Sequence, residues 1–188
     1  MSSQTLALRN HFLVALPSMT GSGFSQSVTY ICDHNDEGAM GIIINQPLGL
    51  SLPDVFKQLQ LPNAIELPHA PAVLKGGPVK PQRGFLLHTP AEQTWNTSMR
   101  LTDELMLTAS KDALESIAYG QGPEHYLFAL GFAGWSPGQL EAELKENCWL
   151  TIHADLDTLF HCSIEERWLS LYAKMGLNPS FITSGGNA

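Results

Sequence analysis

The chain has 188 residues, 44% of them hydrophobic and 15% charged, a composition typical of a globular protein and unlike that of a disordered one. Its formal net charge of -8 argues against sequence-independent binding to nucleic acid, because such binding neutralises phosphates with lysine and arginine. Its apolar runs are far shorter than the ~20 residues that span a bilayer, and its three cysteines include no C-x-x-C pair, so neither a membrane helix nor a zinc knuckle is predicted.

The first half of the chain is predicted to consist mainly of strands. Runs rich in β-branched and aromatic residues predict strands at residues 10–16, 27–33 and 40–45. A helix is then predicted with Ser51 as its cap and Pro53 in its first turn. Its apolar stripe consists of Val55, Phe56 and Leu59. The proline-rich stretch Pro62–Pro71 is predicted to be a loop.

The second half alternates less regularly between strands and helices. Strands are predicted at residues 72–74, 84–88, 106–108, 125–132 and 148–153. Helices are predicted at residues 111–119 and 137–146, and a last one begins with a Ser163–Glu166 capping box and ends at Gly176. Clustered strands with irregularly inserted helices favour an α+β fold over a doubly wound parallel sheet.

One segment matches the G-x-S-x-G pattern of a hydrolase nucleophile elbow, with Ser136 at its centre. That elbow uses the backbone N–H of the residue after the serine in its oxyanion hole, and here that residue is Pro137, which has no N–H. A structural interpretation fits better: Ser136 caps a helix, Pro137 is its first residue and Gln139 completes a capping box.

Acidic and histidine residues also cluster after the predicted strand at 148–153. Asp155 and Asp157 resemble the D-x-D motif of haloacid-dehalogenase-like phosphatases, but too little chain follows to supply that family's other ligands. The spacing of His153, Asp155, Asp157 and His161 matches no established metal motif. We therefore expect Asp155 to cap a helical turn and predict no metal site.

A basic segment is the more promising candidate for binding. Residues 67–91 contain no acidic side chain, and within them lie Lys75, Lys80 and Arg83, flanked by His69 and His88. Gly76 and Gly77 can turn backbone N–H groups toward an anion, and the positive charges nearby would attract it further. The alternative is that these residues merely lie on a loop between two strands, where the two glycines permit a turn.

Several segments together resemble the AlgH/YqgE-like family of bacterial proteins over nearly the whole chain. They include residues 16–19, 38–45, 76–79, 83–88, 130–135, 138–141 and 147–150. The resemblance implies an α+β fold with a large curved mixed β-sheet tending toward a barrel, with packed helices, in a bacterial cytoplasmic protein. It implies no established activity, although members are sometimes labelled transcriptional regulators on genetic grounds. The sequence shows no helix-turn-helix with a basic recognition helix, so any regulation is expected to be indirect.

These observations lead to a functional hypothesis of a non-enzymatic binding module. Two glycine-rich segments, 76–88 and 131–139, are predicted to form one groove for a small anion or an acidic protein partner. The predicted ligand-binding residues are Lys75, Gly76, Gly77, Arg83, His88, Trp135, Gly138 and Gln139. The alternatives are a hydrolase or transferase that uses Ser136, His88 or Asp155, and an indirectly acting transcriptional regulator. No catalytic residue, cofactor or nucleic-acid partner is predicted.

The organisation of the chain is predicted to be simple. No repeat, low-complexity block or linker is present, so residues 1–188 are expected to form a single domain with a frayed tail at 184–188. The first residues lack a basic stretch followed by an apolar one, so no secretory signal is predicted. We therefore expect a cytoplasmic protein with reduced cysteines.

Overall fold

A computed structural model describes residues 7–20, 22–62, 64–67 and 71–182. The predicted roles of His69 and of the tail at 184–188 lie outside the described residues. Contacts divide the chain into two compact units. The central unit is Gln46–Phe132, and the terminal unit comprises the described residues up to Asn45 and from Ala133 onwards. The single-domain organisation stays a prediction.

The described residues contain ten strands and five α-helices. The strands are β1 (His11–Ala15), β2 (Val28–Asn35), β3 (Gly38–Ile43), β4 (Pro47–Ser51), β5 (Ala72–Lys75), β6 (Val79–His88), β7 (Met99–Arg100), β8 (Met106–Thr108), β9 (Tyr126–Trp135) and β10 (Trp149–His153). The helices are α1 (Leu52–Gln58), α2 (Lys111–Ala118), α3 (Gln139–Lys145), α4 (Leu156–Phe160) and α5 (Arg167–Lys174).

In the terminal unit, antiparallel pairing orders the strands β10-β1-β2-β3, and Ala133–Trp135 of β9 pair with β3. The core of this unit is built on side chains from the strands and α3, among them Leu13, Ile31, Trp135, Leu140 and Trp149. Helix α5 buries Trp168 and Tyr172, and both side chains donate hydrogen bonds of 2.9 Å to the Ala15 carbonyl.

In the central unit, the pairing is mixed. Strand β5 runs antiparallel to β4 and parallel to β9, while β6 runs antiparallel to both β9 and β8. Helices α1 and α2 bury their apolar stripes against this sheet, in a core that includes Leu52, Phe56, Ala113, Ile117, Val73, Leu86 and Phe128. The predicted α+β fold with a mixed β-sheet and packed helices is confirmed.

The helix predicted at 137–146 begins later than expected. Ser136–Gln139 form a turn in which the Gln139 amide donates to the Ser136 carbonyl (3.0 Å) and Gly138 adopts φ +76°, ψ −7°. Proline second and a positive-φ glycine third define a type II β-turn. The prediction that Ser136 caps the helix is therefore wrong, and the seven-residue α3 starts at Gln139. The Gln139 side chain does accept hydrogen bonds from the Ser136 amide and hydroxyl, at 3.0 and 3.1 Å.

The last predicted helix also starts differently. Ile164–Glu166 form a 3-10 turn, and α5 follows at Arg167. Ser163 makes no side-chain cap bond, so the predicted capping box with Glu166 is wrong. By contrast, the predicted cap at Asp155 is confirmed, because its carboxylate accepts from the Thr158 amide at 2.7 Å at the start of α4.

Candidate functional site: a cavity in the central unit

The central unit contains a cavity of about 560 Å³, a size typical of small-molecule sites. Helix α1 contributes Val55 and Gln58, and its C-cap residue Leu59 lies on the same face. Helix α2 contributes Lys111 and Leu114, which are also one turn apart. The amphipathic stripes that pack these helices onto the sheet thus also supply one wall of the cavity.

The opposite wall comes from two neighbouring strands. Gln82, Gly84 and Leu86 alternate along β6, and Phe128 and Leu130 alternate along β9, so each set lies on a single face of the sheet. Leu130 pairs with Gly84 in the register of the two strands, and Phe128 with Leu86. A Cβ at Gly84 would lie only 2.8 Å from the Phe128 ring. The absence of a side chain at Gly84 therefore makes space for this ring.

Over the part of the chain that the structure describes, the lining of the cavity contains one cationic side chain and no acidic one. Among the described residues that line it, Lys111 is the one charged side chain. Lys111 and Glu115 form an ion pair of 3.7 Å one turn apart, with side chains 56% and 44% exposed. On the strand side, the lining residues Pro81 and Gln82 are uncharged. An anionic group bound beside Lys111 would meet one lining cation and no carboxylate of the described lining.

The eight predicted ligand-binding residues do not line this cavity. The central unit contains Lys75, Gly76, Gly77, Arg83 and His88, and the terminal unit contains Trp135, Gly138 and Gln139. Their joint binding of an anion stays a prediction.

Gly76 and Gly77 belong to a close approach between backbones. A Cβ at Gly76 would overlap the carbonyl oxygen of Gly131, and one at Gly131 would overlap that of Gly77. The Gly76 amide donates to the Leu130 carbonyl at 2.8 Å. These glycines therefore bring the chain segment before β6 against β9, at the point where the β6–β9 register shifts.

The two basic residues of the predicted set are exposed. Arg83 lies on β6 between Gln82 and Gly84, so it occupies the face opposite the cavity. Its guanidinium carbon lies 5.6 Å from the centre of the Phe85 ring, a cation–π contact. Lys75 ends β5 with an exposed side chain.

His88 is fully buried and both of its ring nitrogens are hydrogen bonded. Nδ1 lies 2.8 Å from the Thr89 carbonyl, which can only accept, so Nδ1 carries the proton. Nε2 therefore accepts from the Thr108 hydroxyl (2.7 Å), which in turn accepts from Ser98 (2.8 Å). Burial lowers the pKa of His88, against the opposing effect of the Thr89 hydrogen bond. Because Thr108 also lines the cavity, this buried network fixes one of its walls.

The lowered pKa of His88 predicts a pH dependence of stability. As the pH falls below the ordinary histidine value of about 6.5, the unfolded chain takes up this proton before the folded protein does. The contribution of neutral His88 is therefore complete above that value and declines below it. We expect chemical denaturation to show that the stability deficit of His88→Gln shrinks between about pH 7.5 and pH 5. A deficit that stays constant or grows would contradict the buried neutral histidine.

Trp135 belongs to the core of the terminal unit, with 7% of its surface exposed. Its indole N–H donates to the Glu143 carboxylate at 2.7 Å, and the indole of Trp149 donates to the same oxygen at 2.9 Å. Gln139 donates to the other oxygen of Glu143 at 3.2 Å. Glu143 thus ties two core tryptophans to the first turn of α3.

Comparison with known proteins shows the family. The sequence model of the AlgH-like family matches residues 12–180. The chain belongs to the AlgH-like family. It is 45% identical over 177 residues to a UPF0301 protein of Saccharophagus degradans, covering 94% of this chain and 86% of the relative. It is 44% identical over 181 residues to a UPF0301 protein of Vibrio cholerae, covering 94% of this chain and 96% of the relative.

Solved structures share the fold of this chain. The solution structure of the AlgH protein from Pseudomonas aeruginosa matches with a TM-score of 0.77 and 43% identity, covering all of both chains. A crystal structure of a Corynebacterium diphtheriae protein matches with a TM-score of 0.70 over 89% of this chain and 86% of the other. That second chain is 21% identical, so its likeness concerns the fold alone.

The described residues of this AlgH-like chain also bear on metal sites and membrane helices. They include no group of three or more histidine, cysteine, aspartate or glutamate side chains arranged to hold a metal ion. Nor does any helix among them have the length and apolar character needed to cross a membrane.

Proposed function

We propose that this AlgH-like protein is a non-enzymatic binding module and that the cavity of the central unit is its ligand site. The observation that carries the proposal is the cavity itself, about 560 Å³ in volume and lined mostly by apolar side chains with a few polar groups. That combination is the usual character of a small-molecule site, in which apolar surface supplies affinity and polar groups fix orientation.

The binding assignment is favoured over catalysis by the state of the candidate catalytic groups. Both nitrogens of His88 are engaged in a buried network, and Asp155 caps α4 while it accepts a 3.1 Å hydrogen bond from Lys174. Ser136 lies in a type II turn, followed by a proline without an N–H. A binding module with these properties would act in the cytoplasm and would influence transcription through its ligand or a protein partner, without contacting DNA.

The proposal is tested by filling the cavity. Ala109 is half-buried and its side chain lines the cavity, so Ala109→Phe places a ring in the ligand volume. The neutral dye N-phenyl-1-naphthylamine fluoresces when it enters an apolar site, and we expect it to bind the wild type and to lose most of its signal with Ala109→Phe. The matched control is Ala142→Phe, at an exposed position of α3, which should keep the signal.

Thermal unfolding of each variant shows whether it is folded, and Ala109→Leu replaces Ala109→Phe if the ring is not tolerated. Equal dye binding by Ala109→Phe and the wild type would show that the cavity is not the site. Arg83→Ala separates the cavity from the groove predicted by the sequence, because Arg83 faces away from the cavity. Its dye signal should be retained if the cavity is the site.

A further inference from the structure

We infer that the ligand of this cavity is a single-chain amphiphile whose anionic head group binds Lys111 while its apolar chain packs against Leu114, Phe128 and Leu130. The inference rests on the proposed function, since it assigns the chemical class of ligand for the same site. It commits to a monocarboxylate with a medium-length hydrocarbon chain.

The anionic head group follows from the charges at the site. Among the described lining residues Lys111 is charged and none is acidic. Asp112, the nearest carboxylate in the chain, accepts hydrogen bonds from the Asn96 amide (3.0 Å) and the Ala113 amide (3.1 Å) and is not a lining residue. A carboxylate beside Lys111 would therefore gain a cation without facing a carboxylate of the wall.

The hydrocarbon chain follows from the rest of the lining. Val55, Leu59 and Leu114 from the helices face Leu86, Phe128 and Leu130 from the strands. Leu59 and Leu130 remain half-buried because the cavity leaves part of their surface without packing partners. An apolar chain between the two walls would remove this surface from water, which is favourable. A small inorganic anion would leave it exposed.

Lys111 already has a partner that such a head group would displace. Its 3.7 Å pair with Glu115 joins two half-exposed side chains on α2, and pairs of this kind are weak and mobile. A bound carboxylate and Glu115 would compete for the same ammonium group. This competition gives the inference a signature that a purely structural ion pair would not produce.

The experiment compares decanoate with decanol as competitors of N-phenyl-1-naphthylamine, both below their aggregation concentrations. We expect decanoate to displace the dye more effectively from the wild type. Lys111→Gln should weaken decanoate binding about fivefold, whereas Glu115→Gln, which releases Lys111, should strengthen it about twofold. Decanol should respond to neither substitution. Lys57→Gln removes a cation that does not line the cavity and serves as the matched control.

The outcomes separate the two proposals. The anionic head group would be overturned, and the cavity left as a site, if decanoate and decanol displaced the dye equally well. The same would follow if the decanoate affinities of Lys111→Gln and Glu115→Gln shifted in the same direction. Displacement by inorganic phosphate as strong as that by decanoate would overturn the hydrocarbon chain. Failure of the dye itself to bind would overturn the proposed function, and the inference with it.

Discussion

Arg167→Met is expected to lower the free energy of unfolding by about 3 kcal/mol or more, because it leaves buried carbonyl groups without donors. Arg167 is 3% exposed. Its Nε donates to the Thr158 carbonyl at 3.0 Å and its Nη2 to the Leu159 carbonyl at 2.9 Å, while Nη1 donates to the carbonyl of Ile44. One guanidinium thus donates hydrogen bonds to carbonyl groups near the end of α4 and to the carbonyl of the residue after β3. Methionine fills a similar length of space but donates nothing.

Two further variants define the cause of this loss. Arg167→Lys keeps the positive charge but cannot reach three carbonyl groups with a fork of donors, so its stability should lie between those of Arg167→Met and the wild type. Lys174→Met removes a half-exposed cation of the same helix, whose bond to Asp155 is 3.1 Å, and should cost less than about 1 kcal/mol. Chemical denaturation measures the free energy of unfolding of all three variants. An Arg167→Met variant as stable as Lys174→Met would show that the buried carbonyls find other partners.

Arg167 also shows what the sequence could and could not predict about the terminal unit. The apolar spacing of Trp168, Leu171 and Tyr172 is that of a helix with one buried face, and the structure buries these residues. The same pattern gives no sign that an arginine beside Trp168 is buried, because burial of a charge depends on acceptors that lie far apart in the chain. The Ile44 carbonyl is 123 residues away.

Strand β4, which the sequence did not predict, and the early part of β6 contain residues that normally interrupt strands. Pro47 and Gly49 lie in β4, which pairs on one side with β5, and prolines are tolerated in such edge strands. Strand β6 begins five residues before the predicted strand, with Pro81 inside the segment where the β6–β9 register shifts. Bulges of this kind accept residues that regular pairing excludes.

The type II turn before α3 illustrates a different source of error. Pro137 suits both the first residue of a helix and the second residue of a β-turn. Gly138 separates the two cases, because its φ of +76° belongs to the turn and not to a helix. A glycine directly after the proline was therefore the signal that could have placed the start of the helix correctly.

The cavity could be predicted only in part. Val55 and Leu59 were predicted as members of an apolar helical stripe, but the same spacing is expected of residues that are fully packed. Whether a stripe leaves a cavity depends on the opposing strands, here on the alternation around Gly84 and on Phe128. These residues come from distant parts of the chain, and no local pattern reveals the space between them.

The backbone approach of Gly131 to Gly77 leads to the second large effect. Gly131→Ala is expected to lower the free energy of unfolding by about 2–5 kcal/mol, through the cost of a positive φ for alanine and the overlap of its Cβ with a backbone oxygen. Gly131 has φ +79°, and its Cβ would also lie 3.1 Å from the Val79 carbonyl oxygen. Backbone atoms on both sides leave little room for adjustment.

Substitutions at two other glycines separate the conformational cost from the steric cost. Gly138 has nearly the same φ, +76°, but nothing lies within 4 Å of its Cβ position, so Gly138→Ala should show the conformational cost alone, about 1 kcal/mol. Gly76 is not held at a positive φ, yet its Cβ would overlap the Gly131 carbonyl, so Gly76→Ala should show the steric cost alone. If Gly131→Ala proved no more costly than Gly138→Ala, the close approach of the two backbones would be refuted.

The same substitution connects the fold of the central unit to its proposed function. The Cβ of Gly131→Ala would lie 3.2 Å from the Cα of Pro81, a residue of the cavity wall, so relief of the overlap requires the β6 bulge to move. Gly131→Ala protein that remains folded should therefore bind N-phenyl-1-naphthylamine more weakly than the wild type, whereas Gly138→Ala should bind it unchanged. Fluorescence titration at a temperature where both are folded measures the difference. Unchanged binding in Gly131→Ala would mean that the position of the bulge does not determine the shape of the cavity.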